Sequence, residues 1–115
     1  MITIYHNPRC SKSRQGLKAL EDSGVQFKTI KYLEDIPSKE ELKKVLDYLN
    51  IPAEKLVRKN ETIWKEKFRG KDLTDDEIIT AMVDYPKLIE RPIVIKGQKA
   101  VIGRPVENIL DLLQK

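Results

Sequence analysis

Residues 5–15, with the sequence YHNPRCSKSRQ, contain the chain's only cysteine, Cys10, and its only histidine, His6. An apolar, strand-like run precedes them, and a helix-compatible segment begins directly after the cysteine. A thiol at a helix N-terminus meets unpaired N–H groups and the positive end of the helix macrodipole, which favour a thiolate or a bound oxyanion. The sequence therefore predicts a nucleophilic thiol at Cys10.

The residues around the cysteine are polar and positively charged. Arg9, Lys12 and Arg14 lie in the same turn, and so polar a setting argues against a buried structural cysteine. We expect these charges, together with the helix start, to lower the pKa of Cys10 below about 8.5, the usual value for cysteine. The residue types leave the role of His6 open between bracing the loop and tuning the thiol.

The size and composition of the chain limit the alternatives. At 115 residues it is long enough for one core, which predicts a single domain over residues 1–115. No apolar run is long enough to span a bilayer, and the N-terminus lacks the pattern of a signal peptide. We therefore expect a cytoplasmic protein with no membrane partner.

A single cysteine excludes an intramolecular disulfide and a cysteine-rich metal site. Any redox cycle must take its second sulfur from another molecule. We expect no metal and no bound cofactor. The net charge is +4, but lysines and glutamates alternate along the predicted helices, so no nucleic-acid partner is expected.

The N-terminal third of the chain has the pattern of a βαβ unit. After the opening strand, a helix is predicted over residues 12–23, with Gly24 as its left-handed terminator. A second strand is predicted over residues 25–32. Two strands joined by one helix should be parallel in the sheet.

The middle third predicts an inserted helical segment over about residues 38–90. Helices are expected over residues 38–50, 53–57 and 61–68, followed by one that ends before Pro86. Capping boxes mark the first and last of these. Their residues are Ser38 with Glu41, and Thr74 with Glu77.

The C-terminal third predicts a hairpin and a closing helix. Apolar runs at residues 93–95 and 100–102 flank Lys96-Gly97-Gln98, which favours antiparallel strands. The last helix should bury Val106, Ile109, Leu110 and Leu113. The whole pattern predicts an α/β, thioredoxin-like fold with a mixed four-stranded sheet. Such folds use a cis-proline ahead of the third strand, which predicts a cis peptide at Arg91–Pro92.

Three arginines, Arg58, Arg91 and Arg104, lie at element boundaries and not on solvated helix faces. If they converged on the thiol they would form an oxyanion clamp. Guanidinium groups match tetrahedral oxyanions and keep their charge near neutral pH.

Four motifs in the same order resemble the glutathione- and glutaredoxin-dependent arsenate reductases, and the resemblance extends over essentially the whole chain. Leu33-Glu34 and Thr74-Asp75-Asp76 add to it. The motifs are His6-Asn7-Pro8-x-Cys10-x-x-Ser13-Arg14, Arg58-Lys59-Asn60, Arg91-Pro92-Ile93-Val94 and Gly103-Arg104-Pro105.

The resemblance implies that Cys10 is the nucleophile, with His6 and Ser13 as further catalytic residues and Pro92 as the structural cis-proline. It implies arsenate or a similar oxyanion as substrate, glutathione as co-substrate and a glutaredoxin as protein partner. The implied oxyanion-binding residues are Arg14, Arg58, Arg91 and Arg104.

The chain departs from the well-studied members in two places. Ser11-Lys12 follows the cysteine where those members resemble Gly-Thr, and the chain ends soon after its last helix. It therefore resembles the shorter, chromosomal branch of the family. Two other functions stay open: an Spx-like regulator that binds RNA polymerase, and a glutathione-linked thiol transferase. Spx regulators usually carry a Cys-x-x-Cys switch, whereas Ser13 occupies the second cysteine's position here.

Overall fold

The computed structural model describes residues 2–114, and within that range it contains four strands and six helices. A 3-10 turn at Pro86–Leu88 precedes the third strand. In chain order the elements are β1 (Ile2–Tyr5), α1 (Ser11–Ser23), β2 (Phe27–Ile30), α2 (Lys39–Leu49), α3 (Ala53–Leu56), α4 (Thr62–Lys67), α5 (Asp75–Asp84), β3 (Ile93–Lys96), β4 (Lys99–Ile102) and α6 (Glu107–Leu113).

Helix α1 begins directly after Cys10, one residue earlier than predicted. Cys10 is the N-cap, with an extended backbone (φ −99°, ψ 123°). The helix ends at Gly24, whose φ of 76° lies in the left-handed region that glycine tolerates best. The sequence pattern therefore predicted both ends of this helix closely.

The sheet is mixed and four-stranded, in the order β2-β1-β3-β4, as predicted. Strand β1 is parallel to β2 and antiparallel to β3, and β3 and β4 form the predicted hairpin. Tyr5, the last residue of β1, lies opposite Ile93, the first residue of β3. This register brings Arg91 and Pro92 to the same end of the sheet as the loop that follows β1.

Strand β2 is shorter than predicted, because a turn begins directly after it. The carbonyl of Lys31 accepts hydrogen bonds from the N–H groups of Glu34 (3.0 Å) and Asp35 (2.8 Å). The chain changes direction at this turn, so the strand stops at Ile30. Apolar content alone had extended the prediction to Tyr32.

The structure divides into two compact units, of which the first comprises residues 2–35 and 91–114. It contains the sheet, α1 and α6. The prediction that Leu110 is buried is wrong. Leu110 is 42% exposed, and Leu112 is buried instead. Helix α6 turns the side of Ile109 and Leu112 inward, which leaves Leu110 off the buried face. The core cluster of this unit is Ile2, Ile4, Leu20, Val94, Ile109 and Leu112.

The second unit, Ile36–Glu90, is helical. Helix α5 packs against α2, α3 and the 3-10 turn. Both predicted capping boxes are present, at the starts of α2 and α5. The unit covers nearly the range predicted as an insertion, while the description of the whole chain as one domain stays a prediction. Across residues 2–114, no helix combines the length and the apolar character needed to cross a membrane.

Candidate active site

The loop from β1 to α1 is fixed by hydrogen bonds of its own residues. His6 continues the strand pairing, since its N–H donates to the carbonyl of Ile30 (2.9 Å). The carbonyl of Asn7 accepts the N–H of Cys10 (3.1 Å), and its side-chain Oδ1 accepts the N–H of Arg9 (3.0 Å). This turn therefore fixes the backbone of Cys10 at the N-cap of α1.

The thiol of Cys10 is partly buried and is surrounded by hydrogen-bond donors. The N–H groups of Lys12 and Ser13, at the open end of α1, point to the sulfur. A hydrogen bond from the Arg91 guanidinium reaches it as well, and Nη2 of Arg104 lies 3.4 Å from Sγ. These groups match the negative charge of a thiolate.

The balance of these effects favours the thiolate. Desolvation by burial, the largest single influence, raises the pKa of the Cys10 thiol. The N–H of Ser13, the hydrogen bond from Arg91, the N–H of Lys12 and the charge of Arg91 act against it. Together they lower the pKa of Cys10 to about 7. The lowered pKa predicted for Cys10 is confirmed.

The cause of the lowered pKa differs in part from the prediction. Arg9 and Arg14 were expected to lower the pKa through their charge, but the side chain that does so is Arg91, which is distant in sequence. Lys12 acts through its backbone N–H. The sequence therefore predicted correctly that the start of α1 stabilises the thiolate. The positive charge beside the thiol comes from Arg91, which only the fold brings there.

His6 and Ser13 form a buried pair beneath the loop. Their exposed fractions are 4% and 0%, and Nδ1 of His6 lies 2.7 Å from Oγ of Ser13. The Ser13 hydroxyl already accepts the N–H of Asn7 (2.9 Å), so its single proton is available for Nδ1. This assignment corresponds to a neutral imidazole with its proton on Nε2.

The electrostatics of His6 also favour the neutral ring. Desolvation by burial lowers the pKa of His6 below 6.5, and the charges of Lys31 and Arg14 lower it further, against an opposing contribution from a hydrogen bond with the backbone of Ser13. His6 therefore supplies no positive charge to the thiol near neutral pH. The sequence left two roles open for His6, and its contacts favour the role of bracing the loop.

Arg91 and Arg104 are joined to each other as well as to the thiol. Nε of Arg104 donates to the carbonyl of Arg91 (2.7 Å). The Arg91–Pro92 peptide is cis, the isomer predicted from the sequence, and the Arg104–Pro105 peptide is also cis. Two of the three arginines of the predicted clamp thus meet at Cys10.

The other two predicted oxyanion ligands have different surroundings. Nη1 of Arg14 donates to the carbonyl of Pro8 (2.9 Å), so this exposed side chain braces the loop. Arg58 lies in the second unit, where Nη1 is 3.1 Å from Oε1 of Glu90 and Nε is 3.8 Å from Oε1 of Glu61. The assignment of Arg14 and Arg58 to an oxyanion stays a prediction.

Asn108, on α6, was not predicted as part of the site. Its Nδ2 donates to the carbonyls of Ile102 (3.0 Å) and Arg104 (3.3 Å). It therefore fixes the backbone on both sides of Gly103, in the loop that carries Arg104. Because Glu107 and Asp111 are also polar positions of this helix, the sequence carries no signal that distinguishes Asn108.

Two glycines, whose packing role was not predicted, allow α1 and the Arg104 loop to approach Pro92 and α6. A Cβ on Gly16 would lie 2.9 Å from Cδ1 of Ile109 and 2.9 Å from Cγ of Pro92. On Gly103 the corresponding distances would be 2.6 Å and 2.8 Å. Gly16 lies inside a predicted helix, where glycine is unfavourable, and this was a signal of close packing.

Comparison with known proteins places this arrangement in a family. An arsenate reductase from Neisseria meningitidis serogroup A is 41% identical over 97% of each chain. YfgD, an uncharacterised protein of Escherichia coli, is 43% identical over 97% of this chain and 96% of its own. The solved structure of an arsenate reductase from Vibrio cholerae superimposes with a TM-score of 0.92 at 46% identity, over 96% of this chain and 95% of that one.

The match to a family covers the entire candidate site. The fold is thioredoxin-like, as the solved relative and the mixed sheet agree. The ArsC family matches residues 5–112, which include the thiol loop, both arginine-proline motifs and the helical unit between them. With relatives above 40% identity along nearly its full length, the chain belongs to the ArsC family.

Proposed function

We propose that this protein is an arsenate reductase that uses Cys10 as its nucleophile, glutathione as co-substrate and a glutaredoxin to complete the cycle. The observation that carries the proposal is the thiol of Cys10, with a pKa of about 7, in contact with Arg91 and Arg104. A thiolate beside two guanidinium groups suits attack on a tetrahedral oxyanion. Arsenate is proposed as this oxyanion because relatives of the chain are named as arsenate reductases.

The first step is attack of the Cys10 thiolate on arsenic. A sulfur–arsenic bond forms, and one oxygen of arsenate leaves as water after it is protonated. The arginines stabilise the negative charge on the remaining oxygens. Because Arg91 contacts the thiol directly, the group that stabilises the free thiolate can transfer its hydrogen bond to the oxyanion as the bond to arsenic forms.

We retain Arg14 and Arg58 in the proposal as further oxyanion ligands on the strength of the family resemblance. Their present partners are the carbonyl of Pro8 and the carboxylates of Glu61 and Glu90. His6 and Ser13 act as positioning residues. Their side chains hold the loop, and the backbone N–H of Ser13 donates a hydrogen bond to the Cys10 sulfur.

The electron balance requires a second thiol. Reduction of arsenate to arsenite takes two electrons, and they come from two sulfurs that become a disulfide. Cys10 supplies one sulfur, and the sequence has no other cysteine. Glutathione supplies the second, which leaves a mixed disulfide on Cys10 as arsenite departs. A glutaredoxin thiol then exchanges with this disulfide and restores the thiolate. The cytoplasm, where glutathione keeps thiols reduced, suits this cycle.

The test is an assay of the purified protein with arsenate, glutathione and glutaredoxin. We expect arsenate-dependent oxidation of glutathione that is lost in Cys10→Ser. A thiol transferase would instead act on mixed disulfides with no need for arsenate and with little dependence on Arg91 or Arg104. An Spx-like regulator would show neither activity and would bind RNA polymerase.

A further inference from the structure

A groove of about 290 Å³ lies beside the catalytic loop, between residues 6–9 and the segment 31–34 that follows β2. Three charged side chains line it: Arg9, Lys31 and Glu34. None of the three has an ion-pair or side-chain hydrogen-bond partner among residues 2–114. By contrast, Lys39 and Lys43 both pair with Asp76 on the surface of the other unit. The groove therefore presents two cations and one carboxylate without partners.

This set of charges is complementary to glutathione, which carries two carboxylates and one ammonium group. We propose that the groove is the recognition site for glutathione in the reaction of Cys10, an inference that rests on the proposed function. Arg9 and Lys31 bind the two carboxylates, and Glu34 binds the ammonium of the γ-glutamyl group. Pro8 and Leu33 provide apolar walls for the methylene groups between these charges.

The groove adjoins the loop that carries the thiol. Arg9 directly precedes Cys10, and the carbonyl of Asn7, another groove residue, accepts the N–H of Cys10. An extended tripeptide spans about 10 Å, so glutathione can place its charged ends in the groove while its sulfur approaches the Cys10 adduct. In the step that consumes it, its sulfur forms the disulfide with Cys10 and the pair of electrons passes to arsenic.

His6 reports on the occupation of this groove. It is the only histidine in the chain, it lines the groove, and the charge of Lys31 lowers its pKa. A carboxylate bound to Lys31 would offset that charge. Bound glutathione should therefore raise the pKa of His6, which is a signal independent of arsenate.

The first experiment titrates reduced glutathione into the Cys10→Ser protein and follows the His6 ring by NMR. We expect a saturable change and a higher pKa of His6 in the bound state. Lys31→Glu should weaken binding about tenfold, since it replaces one exposed attraction by a repulsion. Lys28→Glu is the matched control: Lys28 is exposed on β2, three residues before Lys31, but lies outside the groove, and its variant should bind as the parent does. Equal weakening by both variants, or no saturable change, would overturn the proposal.

The second experiment separates recognition from general electrostatic attraction. N-acetylglutathione lacks the ammonium and has a larger negative charge, so attraction by the basic loop alone would make it bind more tightly than glutathione. A groove that uses Glu34 predicts the reverse preference, and Glu34→Gln should abolish it. Tighter binding of the acetylated peptide by the parent protein would contradict the assignment.

Failure of this proposal is distinguishable from failure of the proposed function. Neither binding experiment contains arsenate. If the parent reduces arsenate but the Lys31 and Lys28 variants behave alike, the groove assignment is wrong while the reductase assignment stands. If glutathione binds as expected but no arsenate is reduced, the groove stands and the oxyanion substrate is wrong.

Discussion

At the scale of single residues, the reactivity of Cys10 depends on two kinds of donor. The N–H groups of Lys12 and Ser13 belong to the start of α1 and are present whatever their side chains are. The guanidinium of Arg91 comes from the segment before β3 and depends on the fold. Substitution of Arg91 therefore removes one contribution and leaves the other.

Arg91→Ala should raise the pKa of Cys10 by about one unit or more, because it removes an adjacent opposite charge and a hydrogen bond to the thiolate. The rate of alkylation by a neutral reagent, measured against pH, reports this pKa. Arg9→Ala is the matched control, since Arg9 is next to Cys10 in sequence but does not contribute to the lowering. A larger shift in the Arg9 variant than in the Arg91 variant would contradict the geometry.

His6 should titrate with a midpoint below 6.5, because burial and the charges of Lys31 and Arg14 disfavour its protonated form. As the pH falls below 6.5, the unfolded chain takes up this proton before the folded protein does, so the free energy of unfolding should decrease. Ser13→Ala removes the hydroxyl that donates to Nδ1 of the neutral ring and should therefore raise the midpoint. NMR of the single histidine measures both; a midpoint above 6.5 in the parent would show that the ring is charged in the fold.

At the scale of elements, the site depends on how closely α1 and the Arg104 loop approach Pro92 and α6. Gly16 and Gly103 allow this approach, since a Cβ on either would come within 3.0 Å of Pro92 and Ile109. These close contacts involve Pro92, which follows Arg91, and Gly103, which precedes Arg104. Loss of close packing there would move the groups that touch the thiol.

Gly16→Ala should destabilise the protein by about 1–3 kcal/mol through overpacking, although helix propensity alone predicts about 1 kcal/mol of stabilisation. Denaturant unfolding measures the sign. Ile109→Val removes the Cδ1 atom that lies 2.9 Å from the added Cβ, so it should recover part of the loss in the double variant. A stabilised Gly16→Ala protein would show that α1 can move away without cost.

Asn108→Asp should weaken the hold on Arg104, because an ionised carboxylate cannot donate to the carbonyls of Ile102 and Arg104. We expect a higher KM for arsenate and a smaller effect of Asn108→Asp when Arg104 is already alanine. Steady-state kinetics of the two single variants and the double variant test this coupling. Fully additive effects would mean that Asn108 acts on stability alone.

The sequence predicted those elements whose signals are local. Ser38 with Glu41 and Thr74 with Glu77 marked two helix starts, because a capping box is complete within four residues. Leu110 was misassigned since its spacing fits the apolar stripe as well as Leu112 does, and only packing on the sheet decides between them. The early end of β2 depends on the turn at Lys31, for which apolar content gives no signal.

At the scale of the whole molecule, the site brings together residues from opposite ends of the sequence. Cys10 and Arg104 meet because β1 and β3 are neighbours in the sheet and β3 continues into β4. The resemblance to a family, and not residue spacing, predicted this convergence. The sequence carried no signal for the ion pairs of Arg58 with Glu61 and Glu90, and its role as an oxyanion ligand stays a prediction.

A chain with one cysteine cannot complete a two-electron reduction alone. The oxidised protein should therefore carry a single glutathione adduct at Cys10 when arsenate and glutathione are present and glutaredoxin is withheld. Intact-mass measurement detects it, and addition of glutaredoxin should remove it. An adduct that forms equally without arsenate would favour the thiol transferase.

We propose that Arg91 and Arg104 hold an oxyanion at the Cys10 thiolate. The most direct measurement is arsenate-dependent turnover, with glutathione and glutaredoxin, of the parent and of Arg91→Ala and Arg104→Ala. Loss of charge-assisted hydrogen bonds worth about 1.5–3 kcal/mol each predicts a fall of about ten- to a hundredfold, with only partial recovery in the lysine variants. Alkylation of Cys10 at a pH where the thiol is fully ionised should change much less. If the parent shows no turnover, or if both alanine variants reduce arsenate as well as the parent, the claim is wrong.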